Sequence, residues 1–457
     1  MITKLNEFKV IEETSSSSSE AENERWIEPA LKRISKLLGF TKMGMELKLY
    51  LGVVDLIRVV VISIAKSNNI VNSLKSWVDT EKISGFDVNI LRAFIELGCR
   101  VGVIQERGNQ IKIDEKFLSE EYFTGQELIE HIQSENVSLM KKIQKPEVKN
   151  FVFIYLLVCL DNGVNINPDI LAAFNINKKW LNIIEDKTYE YELILSDYIL
   201  ELLNVKLDRK IPFSKSEEFY TDLGRKAFES FTRDYFKSTY GNLDSISSIK
   251  RVLDVGCGYG DYIDVVSKSA NLEKAIGVEL QREVYEIVKD RFKDRDNVTI
   301  LNEDIFNIEL DSKSDLILLN YILFYFSEEE KVRLFKKLRN LLSEDGHIMI
   351  CQYYPGIESI QKNLAVLQED FKLDKRIGMY FGNMLLYSEV LLNEALDDFK
   401  QAERWDVFCE ILKKSGLEIA YMTNAEKFYY SYFIMLKKQP GYSNIEETDN
   451  LSNLKTS

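Results

Sequence analysis

The chain has 457 residues, of which 45% are hydrophobic and 29% are charged, a composition typical of a globular protein with two or three domains. Its 73 acidic residues outnumber the 59 basic ones, and the resulting net charge of -14 disfavours general binding to nucleic acid or to anionic membranes. Only two histidines are present, His131 and His347, which are too few to build a histidine-based metal site. We therefore predict no metal, no nucleic-acid partner and no membrane partner.

The first 23 residues have no apolar signal core and contain a run of five serines at 15–19, which predicts a disordered leader. The most apolar early stretch, 49–65, includes Asp55 and Arg58 and is too short to span a bilayer. The five cysteines form no C-x-x-C pair, which favours a reducing cytoplasm over a disulfide framework. We therefore expect a cytoplasmic location.

Residues 24–118 predict helices followed by a β-hairpin. A helix is expected at 88–97, because apolar residues recur there with helical spacing, and short strands are expected at 100–104 and 110–113. This order is the outline of a winged helix. Its second helix would enter the major groove in a DNA-binding protein, but here it is apolar and acidic with Arg92 its only basic residue. We therefore predict that this face serves packing.

The next zone, 119–212, predicts a helical connector without a catalytic signature, and the polar segment 440–457 predicts a disordered tail. Between them, residues 213–439 alternate strand-like and helix-like segments. Strands are expected at 250–255, 274–279, 298–302, 314–319 and 347–351, and helices at 260–269, 283–292 and 328–342. Such alternation predicts an α/β fold with a doubly wound, mostly parallel sheet of the Rossmann-like kind. The tyrosine-rich run 427–433 and the apolar residues after it favour a final antiparallel strand.

The sharpest motif is Val-Leu-Asp-Val-Gly-Cys-Gly-Tyr-Gly-Asp at 252–261, where a predicted strand turns into a helix. Gly256, Gly258 and Gly260 allow a tight turn and a close approach of a ligand to the backbone. Asp254, at the strand end, can accept hydrogen bonds from a cationic or hydroxylated ligand. The spacing is G-x-G-x-G followed by an acid rather than G-x-G-x-x-G, so it does not support a nicotinamide-binding domain.

Two further acidic residues follow the next two strands. Glu279 closes the second strand, where a carboxylate can grip both hydroxyls of a ribose. Asp304 follows the third strand and is positioned to accept from an adenine amino group, with Ile305 and Phe306 flanking the ring. A glycine motif alone is weak evidence for a ligand site, and the acids that follow it in this order make that evidence more specific.

The chain resembles the class I S-adenosylmethionine-dependent methyltransferases. The matching segments, in the order of that family, are 253–260, 277–279, 303–305, 315–320 and 341–348. The resemblance implies that S-adenosylmethionine is the cofactor and S-adenosylhomocysteine the product. It also implies a cofactor set with Asp254, Gly256, Cys257, Gly258 and Gly260 at the methionine portion, Glu279 and Leu280 at the ribose, Asp304, Ile305 and Phe306 at the adenine, and Asn320 under the methionyl group or facing the acceptor.

A winged-helix-like module ahead of such a domain is similar to the small-molecule O-methyltransferases, in which the module mediates homodimerisation and helps to wall the acceptor pocket. Those enzymes commonly carry a catalytic histidine shortly after the fourth strand. Here Phe324 and Tyr325 stand at that place, so the usual general base is absent. Candidates that could contact the acceptor are the tyrosines near the ends of the fourth and fifth strands, Tyr321, Tyr325, Tyr353 and Tyr354.

We expect methyl transfer to a small metabolite, in secondary metabolism, by a homodimer. The segment 352–414 is long enough to supply helices over the acceptor pocket, and its aromatic residues could enclose a planar or cationic acceptor. An alternative is a peptide or protein methyltransferase with a basic substrate, attracted by the acidic charge. A cofactor-sensing DNA-binding regulator is disfavoured by the acidic second helix. The sequence leaves O-, N- and C-methylation open.

Overall fold

The computed structural model describes residues 27–119, 123–212, 224–247, 249–357, 373–397, 399–400, 403–426 and 429–442. The predicted leader and the predicted tail beyond residue 442 lie outside these ranges. No helix among the described residues is both long enough and apolar enough to cross a lipid bilayer.

The N-terminal region is mainly helical and has one continuous hydrophobic core. Helix α2 lies at its centre, because it is apolar around nearly its whole circumference and is buried almost from end to end. Helix α6 is apolar in the same way and packs against α2. The helices of this region are α1 (Ile27–Leu38), α2 (Lys42–Ser67), α3 (Val88–Arg100), α4 (Gly125–Gln133), α5 (Val137–Lys142), α6 (Pro146–Asp161), α7 (Pro168–Ala173), α8 (Lys178–Glu185) and α9 (Glu190–Leu200).

The predicted helix and hairpin are present, but the first strand is displaced from its predicted position. Helix α3 continues to Arg100, and the hairpin strands are β2 (Ile104–Arg107) and β3 (Gln110–Ile113), joined at the edge by β1 (Val78–Asp79). The prediction of a strand at 100–104 is wrong because Gly102, with a φ of 72°, ends the helix. The amide of Val103 then donates to the carbonyl of Gly98 at 2.9 Å.

The C-terminal region contains a seven-stranded sheet in the order β6-β5-β4-β7-β8-β10-β9. Neighbouring strands from β6 to β8 are parallel, and β10 pairs antiparallel with both β8 and β9. The strands are β4 (Arg251–Val255), β5 (Lys274–Glu279), β6 (Val298–Asn302), β7 (Ser314–Asn320), β8 (Leu342–Gln352), β9 (Leu417–Asn424) and β10 (Tyr432–Lys438). The predicted doubly wound, mostly parallel sheet is confirmed.

Helices cover both faces of this sheet. Leu316 and Leu318 of β7 face the core on one side, whereas Ile317 and Leu319 face the core on the other, as the alternation of side chains along a strand requires. The helices are α10 (Arg233–Ser247), α11 (Asp261–Val266), α12 (Arg282–Arg291), α13 (Glu328–Leu341), α14 (Leu373–Ala395) and α15 (Trp405–Lys414). The continuous apolar run of β7 is therefore explained by burial on both faces.

Two strand boundaries of this sheet differ from the predicted ones by more than one residue. Strand β8 begins at Leu342, directly after α13, because Leu342 already pairs with Ser314 of β7. Strand β10 begins at Tyr432, whereas the tyrosine run predicted a strand from 427, of which residues 427–428 lie outside the described ranges. The carboxylate of Glu426 accepts hydrogen bonds from the backbone amides of Tyr430 at 2.8 Å and Ser431 at 3.3 Å, and this loop hydrogen bonding replaces a strand ladder there.

Helix α14 joins the two regions. It lies between β8 and α15 in sequence, yet most of its buried apolar residues belong to the N-terminal core, where it packs against α3. The guanidinium of Arg100 on α3 donates to the hydroxyl of Tyr387 at 3.2 Å and lies 4.7 Å from the centre of that ring. On the same helix, Tyr380 donates to the carboxylate of Glu28 at 3.2 Å. Both tyrosines therefore connect the two regions.

Candidate active site

The glycine loop follows β4 and is held in one conformation by its backbone. Gly256, Gly258 and Gly260 all have positive φ angles, of 66°, 52° and 78°, which residues with a Cβ rarely adopt. The amides of Gly256 and Cys257 donate to the carbonyl of Val278 at 2.8 and 3.1 Å. A Cβ at Gly260 would lie 2.5 Å from a ring carbon of Phe292, so glycine is required there for packing as well.

The side chain of Glu279, at the end of β5, is hydrogen-bonded to this loop. One carboxylate oxygen accepts from the amide of Gly258 at 3.0 Å, and the other accepts from the amide of Gln281 at 3.0 Å. The side chain is 8% exposed. Two amide donors therefore fix the position of the carboxylate beside the loop, at the carboxyl edge of the parallel strands where ligands of such sheets bind.

Asp254 lies deeper, inside β4, and is 1% exposed. One of its carboxylate oxygens, Oδ2, is buried without a hydrogen-bond partner. Burial raises the pKa of Asp254 well above its ordinary value, and the nearby carboxylates of Glu279 and Asp261 raise it further. A buried carboxyl with an unpaired oxygen is costly unless a ligand completes its hydrogen bonding.

The segment after β6 forms a shallow apolar edge next to these acids. The carboxylate of Asp304 accepts from the backbone amide of Phe306 at 2.9 Å, which fixes a turn, and Ile305 is buried beneath it. The ring of Phe306 lies under the guanidinium of Arg333 at 4.2 Å. Leu280 follows β5 and is 69% exposed, so its side chain is free to cover a ligand.

Strand β7 ends in a polar residue followed by a strained one. Both the amide oxygen and the amide nitrogen of Asn320 are buried without a hydrogen-bond partner. Tyr321 has a φ of 53°, which is unfavourable for a bulky side chain. Its amide donates to the carbonyl of Cys351 at 2.9 Å, and its hydroxyl donates to Ser431 at 2.9 Å. The strain could not be inferred from the sequence.

The two tyrosines after β8 belong to different hydrophobic cores. Tyr353 lies with the N-terminal core, where its ring centre is 6.3 Å from Phe324 and 6.4 Å from Tyr430. Tyr354 stacks on Phe408 of α15 at 4.2 Å and belongs to the core beneath the sheet. The structure therefore does not bring Tyr354 together with the other candidate tyrosines.

Tyr325 and Trp405, an aromatic residue of the segment 352–414, also pack against different cores. Tyr325 is 43% exposed and packs on Phe324 and Phe399, with ring centres 4.8 and 5.7 Å away. Trp405 packs with Tyr354, with ring centres 5.7 Å apart. Tyr325 is therefore on the side of Tyr353, whereas Trp405 stays in the core with α15.

One group of polar residues near β7 was missed by the sequence reasoning. The hydroxyl of Tyr191, on α9, lies 3.4 Å from the hydroxyl of Tyr430, and both side chains are buried. Tyr430 is followed by Ser431, the partner of Tyr321. Tyr191 is far from β7 in sequence and has no local motif, so only the packing of α9 against the sheet reveals the contact.

Neither histidine lies at this edge of the sheet. His347 is within β8, opposite Leu316 near the start of β7, and burial lowers its pKa. His131 is on α4, with its ring 5.9 Å from that of Phe123. A histidine general base is therefore not available at the carboxyl ends of β4, β7 and β8.

A family model described as "Methyltransferase domain" matches residues 252–346, from β4 into β8. A solved S-adenosylmethionine-dependent methyltransferase from Clostridium acetobutylicum is similar, with 14% identity and a TM-score of 0.35, over 48% of this chain and 99% of that one. An O-methyltransferase family 2 protein from Planctomyces limnophilus, in complex with apigenin, has 12% identity and a TM-score of 0.44, over 85% and 95% of the two chains. The mitomycin 7-O-methyltransferase MmcR has 13% identity and a TM-score of 0.32, over 93% and 100%. No curated protein sequence matches significantly.

Proposed function

The segment 252–346 is a class I S-adenosylmethionine-dependent methyltransferase domain, and from this premise we propose how the chain holds its methyl donor and its acceptor. The methionine portion lies against Asp254 and the loop of Gly256, Cys257, Gly258 and Gly260. The ribose lies against Glu279 and Leu280, and the adenine against Asp304, Ile305 and Phe306. Asn320 lies beside the methionyl group.

The observation that carries this proposal is the buried carboxyl of Asp254 beside the glycine loop. Its unpaired oxygen needs a donor, and the ammonium group of a methionine moiety is one. A Cβ at Gly258 would meet no atom within 4 Å, so the loop leaves open space where a ligand can approach the backbone. The residues present therefore fit S-adenosylmethionine.

S-adenosylmethionine, when bound, supplies a methyl group on a positively charged sulfur. The chain's own contribution is to hold the acceptor in line with that group and to exclude water. We place the acceptor at the carboxyl ends of β7 and β8, against Tyr321, Tyr325 and Tyr353. Tyr354 is not part of the acceptor site in this proposal, because its ring stacks on Phe408.

We propose a small molecule as the acceptor, because the side chains placed there are aromatic, with Tyr353 and Phe324 buried and Tyr325 exposed. Tyr353 is 6% exposed and Phe324 is 9% exposed. Aromatic side chains of this kind can hold a small planar compound. Methylation of a basic peptide or protein is the alternative.

The N-terminal region is proposed to be a winged-helix-like module that packs against the methyltransferase domain and forms a homodimer. Helix α3, at the position of a DNA-reading helix, is covered by α14, and its Glu96 pairs with Arg404 at 3.3 Å. This disfavours a DNA-binding regulator. Leu37, Phe40 and Met43 leave apolar surface exposed at the α1–α2 corner, which suits a second copy of the chain. Light scattering of wild type and Met43→Glu tests this, with a dimer and a monomer expected.

A methyl-transfer assay on the full chain tests the function. Labelled S-adenosylmethionine is incubated with catechol, aniline and imidazole, and separately with lysine- and arginine-containing peptides. Transfer to the small molecules alone supports the proposal, and transfer to the peptides alone supports the alternative. Absence of transfer together with absence of S-adenosylmethionine binding would contradict both.

A further inference from the structure

Tyr321 has a strained backbone conformation directly after β7. Its φ of 53° lies in the left-handed region, which a bulky aromatic residue rarely adopts and which persists only where the surrounding structure enforces it. Strained residues of this kind cluster at active sites and ligand-binding segments. Strand β7 is the neighbour of β4, which carries the glycine loop, so the strain of Tyr321 points to a role in the cofactor site.

Hydrogen bonds to two other segments hold Tyr321 in this conformation. Its amide donates to the carbonyl of Cys351 on β8 at 2.9 Å, and its hydroxyl donates to Oγ of Ser431 at 2.9 Å. The thiol of Cys351 is a second hydrogen-bond partner of the hydroxyl. Ser431 is 0% exposed, and its amide and carbonyl are bonded to Glu426 and Ala425. The anchor of Tyr321 is therefore fixed by the loop before β10.

The residue after Tyr321 lies against the cofactor loop. The left-handed turn carries the chain from the end of β7 to the end of the neighbouring strand β4. A Cβ placed at Gly256 would lie 2.8 Å from Cγ2 of Ile322, so the side chain of Ile322 packs directly on that glycine. The turn at Tyr321 and the glycine loop are therefore in direct contact through Ile322.

The residue before Tyr321 carries an unsatisfied amide. Among the described residues, neither polar atom of the Asn320 side chain has a hydrogen-bond partner, and both atoms are buried. Leu318 pairs with Asp254, and Asn320 lies two residues further along β7, so the side chains of Asn320 and Asp254 lie on the same face of the sheet. Unpaired buried polar atoms are costly, and a ligand that bonds to them offsets that cost.

We infer that Tyr321 is a positioning residue for S-adenosylmethionine binding, because its anchored backbone aims the amide of Asn320 at the methionine portion and holds Ile322 on the glycine loop. The inference rests on the proposed function, which places Asn320 beside the methionyl group. The hydroxyl of Tyr321 already donates to Ser431, so Tyr321 acts through its two neighbours in the chain and not as a donor to the ligand. Ser431, outside the cofactor motif, thereby contributes to the affinity for the methyl donor.

A matched pair of substitutions at position 321 separates backbone conformation from side-chain packing. Asparagine adopts the left-handed conformation readily, whereas leucine, which is of similar size, does not. Tyr321→Asn should therefore bind S-adenosylmethionine with close to wild-type affinity, and Tyr321→Leu about 10-fold more weakly. Calorimetric titration of the full chain measures both. The reverse order would overturn the inference, since leucine keeps more of the apolar contact that the ring makes with the cores.

Removal of the hydroxyl anchor should weaken binding by the same route. Tyr321→Phe should bind S-adenosylmethionine about 2- to 10-fold more weakly, because a buried hydrogen bond that enforces the conformation is lost. Addition of Ser431→Ala to this variant should cause no further loss, because the two residues share that bond. Tyr421→Phe, at an exposed tyrosine of β9, should bind as wild type does. Additive losses from Tyr321→Phe and Ser431→Ala would contradict the anchor.

A double substitution tests whether Tyr321 acts through Asn320. Asn320→Ala should itself weaken binding, and Tyr321→Leu added to it should cost clearly less than the about 10-fold that it costs alone. An undiminished loss in the double variant would contradict this route. Asn69→Leu is the control for backbone strain, because Asn69 has a φ of 57° just after α2 in the N-terminal region. It should lower the melting temperature and leave binding unchanged.

Binding by wild type separates a failure of this inference from a failure of the proposed function. If wild type binds S-adenosylmethionine and Tyr321→Leu binds it equally well, the inference is overturned and the proposed function stands. If wild type does not bind it, the proposed function fails and the inference fails with it.

Discussion

The cofactor end and the acceptor end of this sheet are built differently. At β4 and β5 the backbone is fixed by glycines and by Glu279, while Asp254 keeps an unpaired buried oxygen. At β7 and β10 the polar groups of Tyr321, Tyr430 and Ser431 are already bonded to one another or to nearby side chains. A ligand is needed to complete the hydrogen bonding of Asp254 at the first end, whereas these three residues at the second end already have hydrogen-bond partners.

The largest expected effect concerns the backbone of the cofactor end. Gly260→Ala should lower the free energy of unfolding by about 2–4 kcal/mol, because the residue has a positive φ and its Cβ would meet Phe292 at 2.5 Å. Thermal unfolding measures the loss. Gly108→Ala is the control, since its φ is 60° but its Cβ would meet no atom within 4 Å. Equal losses in both variants would mean that the packing against Phe292 does not matter.

A smaller effect is expected on ligand binding at the same end. Glu279→Gln should weaken S-adenosylmethionine binding about 10- to 100-fold, because an amide can neither accept from both backbone amides nor grip two ribose hydroxyls as a carboxylate does. Calorimetric titration gives the dissociation constant. Glu283→Gln, at an exposed position one turn further on, should bind as wild type does. Equal affinities of Glu279→Gln and wild type would remove Glu279 from the site.

Asp254 should show opposite effects on stability and on binding. Its pKa is raised in the folded state, so the folded protein holds more protons than the unfolded chain above pH 3.8, and stability falls as the pH rises through the raised pKa. Asp254→Asn should remove this dependence and raise the melting temperature by a few degrees at pH 7. The same variant should bind S-adenosylmethionine at least about 10-fold more weakly. A variant that lost both stability and binding would indicate a structural role instead.

The smallest effect separates the two adjacent tyrosines that follow β8. Tyr354→Phe should leave kcat unchanged and alter stability by less than about 0.5 kcal/mol, because its hydroxyl is buried without a hydrogen-bond partner and its ring stacks on Phe408. Tyr353→Phe, on the side of Tyr430, should change KM or kcat. Steady-state kinetics on both variants would refute this division if Tyr354→Phe were the impaired enzyme.

The sequence predicted the cofactor end better than the acceptor end for a physical reason. Asp254, the glycines, Glu279 and Asp304 follow successive parallel strands, so a local pattern places them at one edge. The acceptor end combines Tyr191 and Tyr430, which are distant in sequence and meet only because α9 packs there. Periodicity also cannot tell which hydrophobic core Tyr353 and Tyr354 join once the strand has ended.

Titration of the full chain with S-adenosylmethionine and with S-adenosylhomocysteine, followed by calorimetry, tests the central claim most directly. We predict saturable one-to-one binding of both compounds by wild type, and clearly weaker binding by Asp254→Asn and Glu279→Gln. The absence of binding to wild type, or equal affinities in all three proteins, would contradict the account.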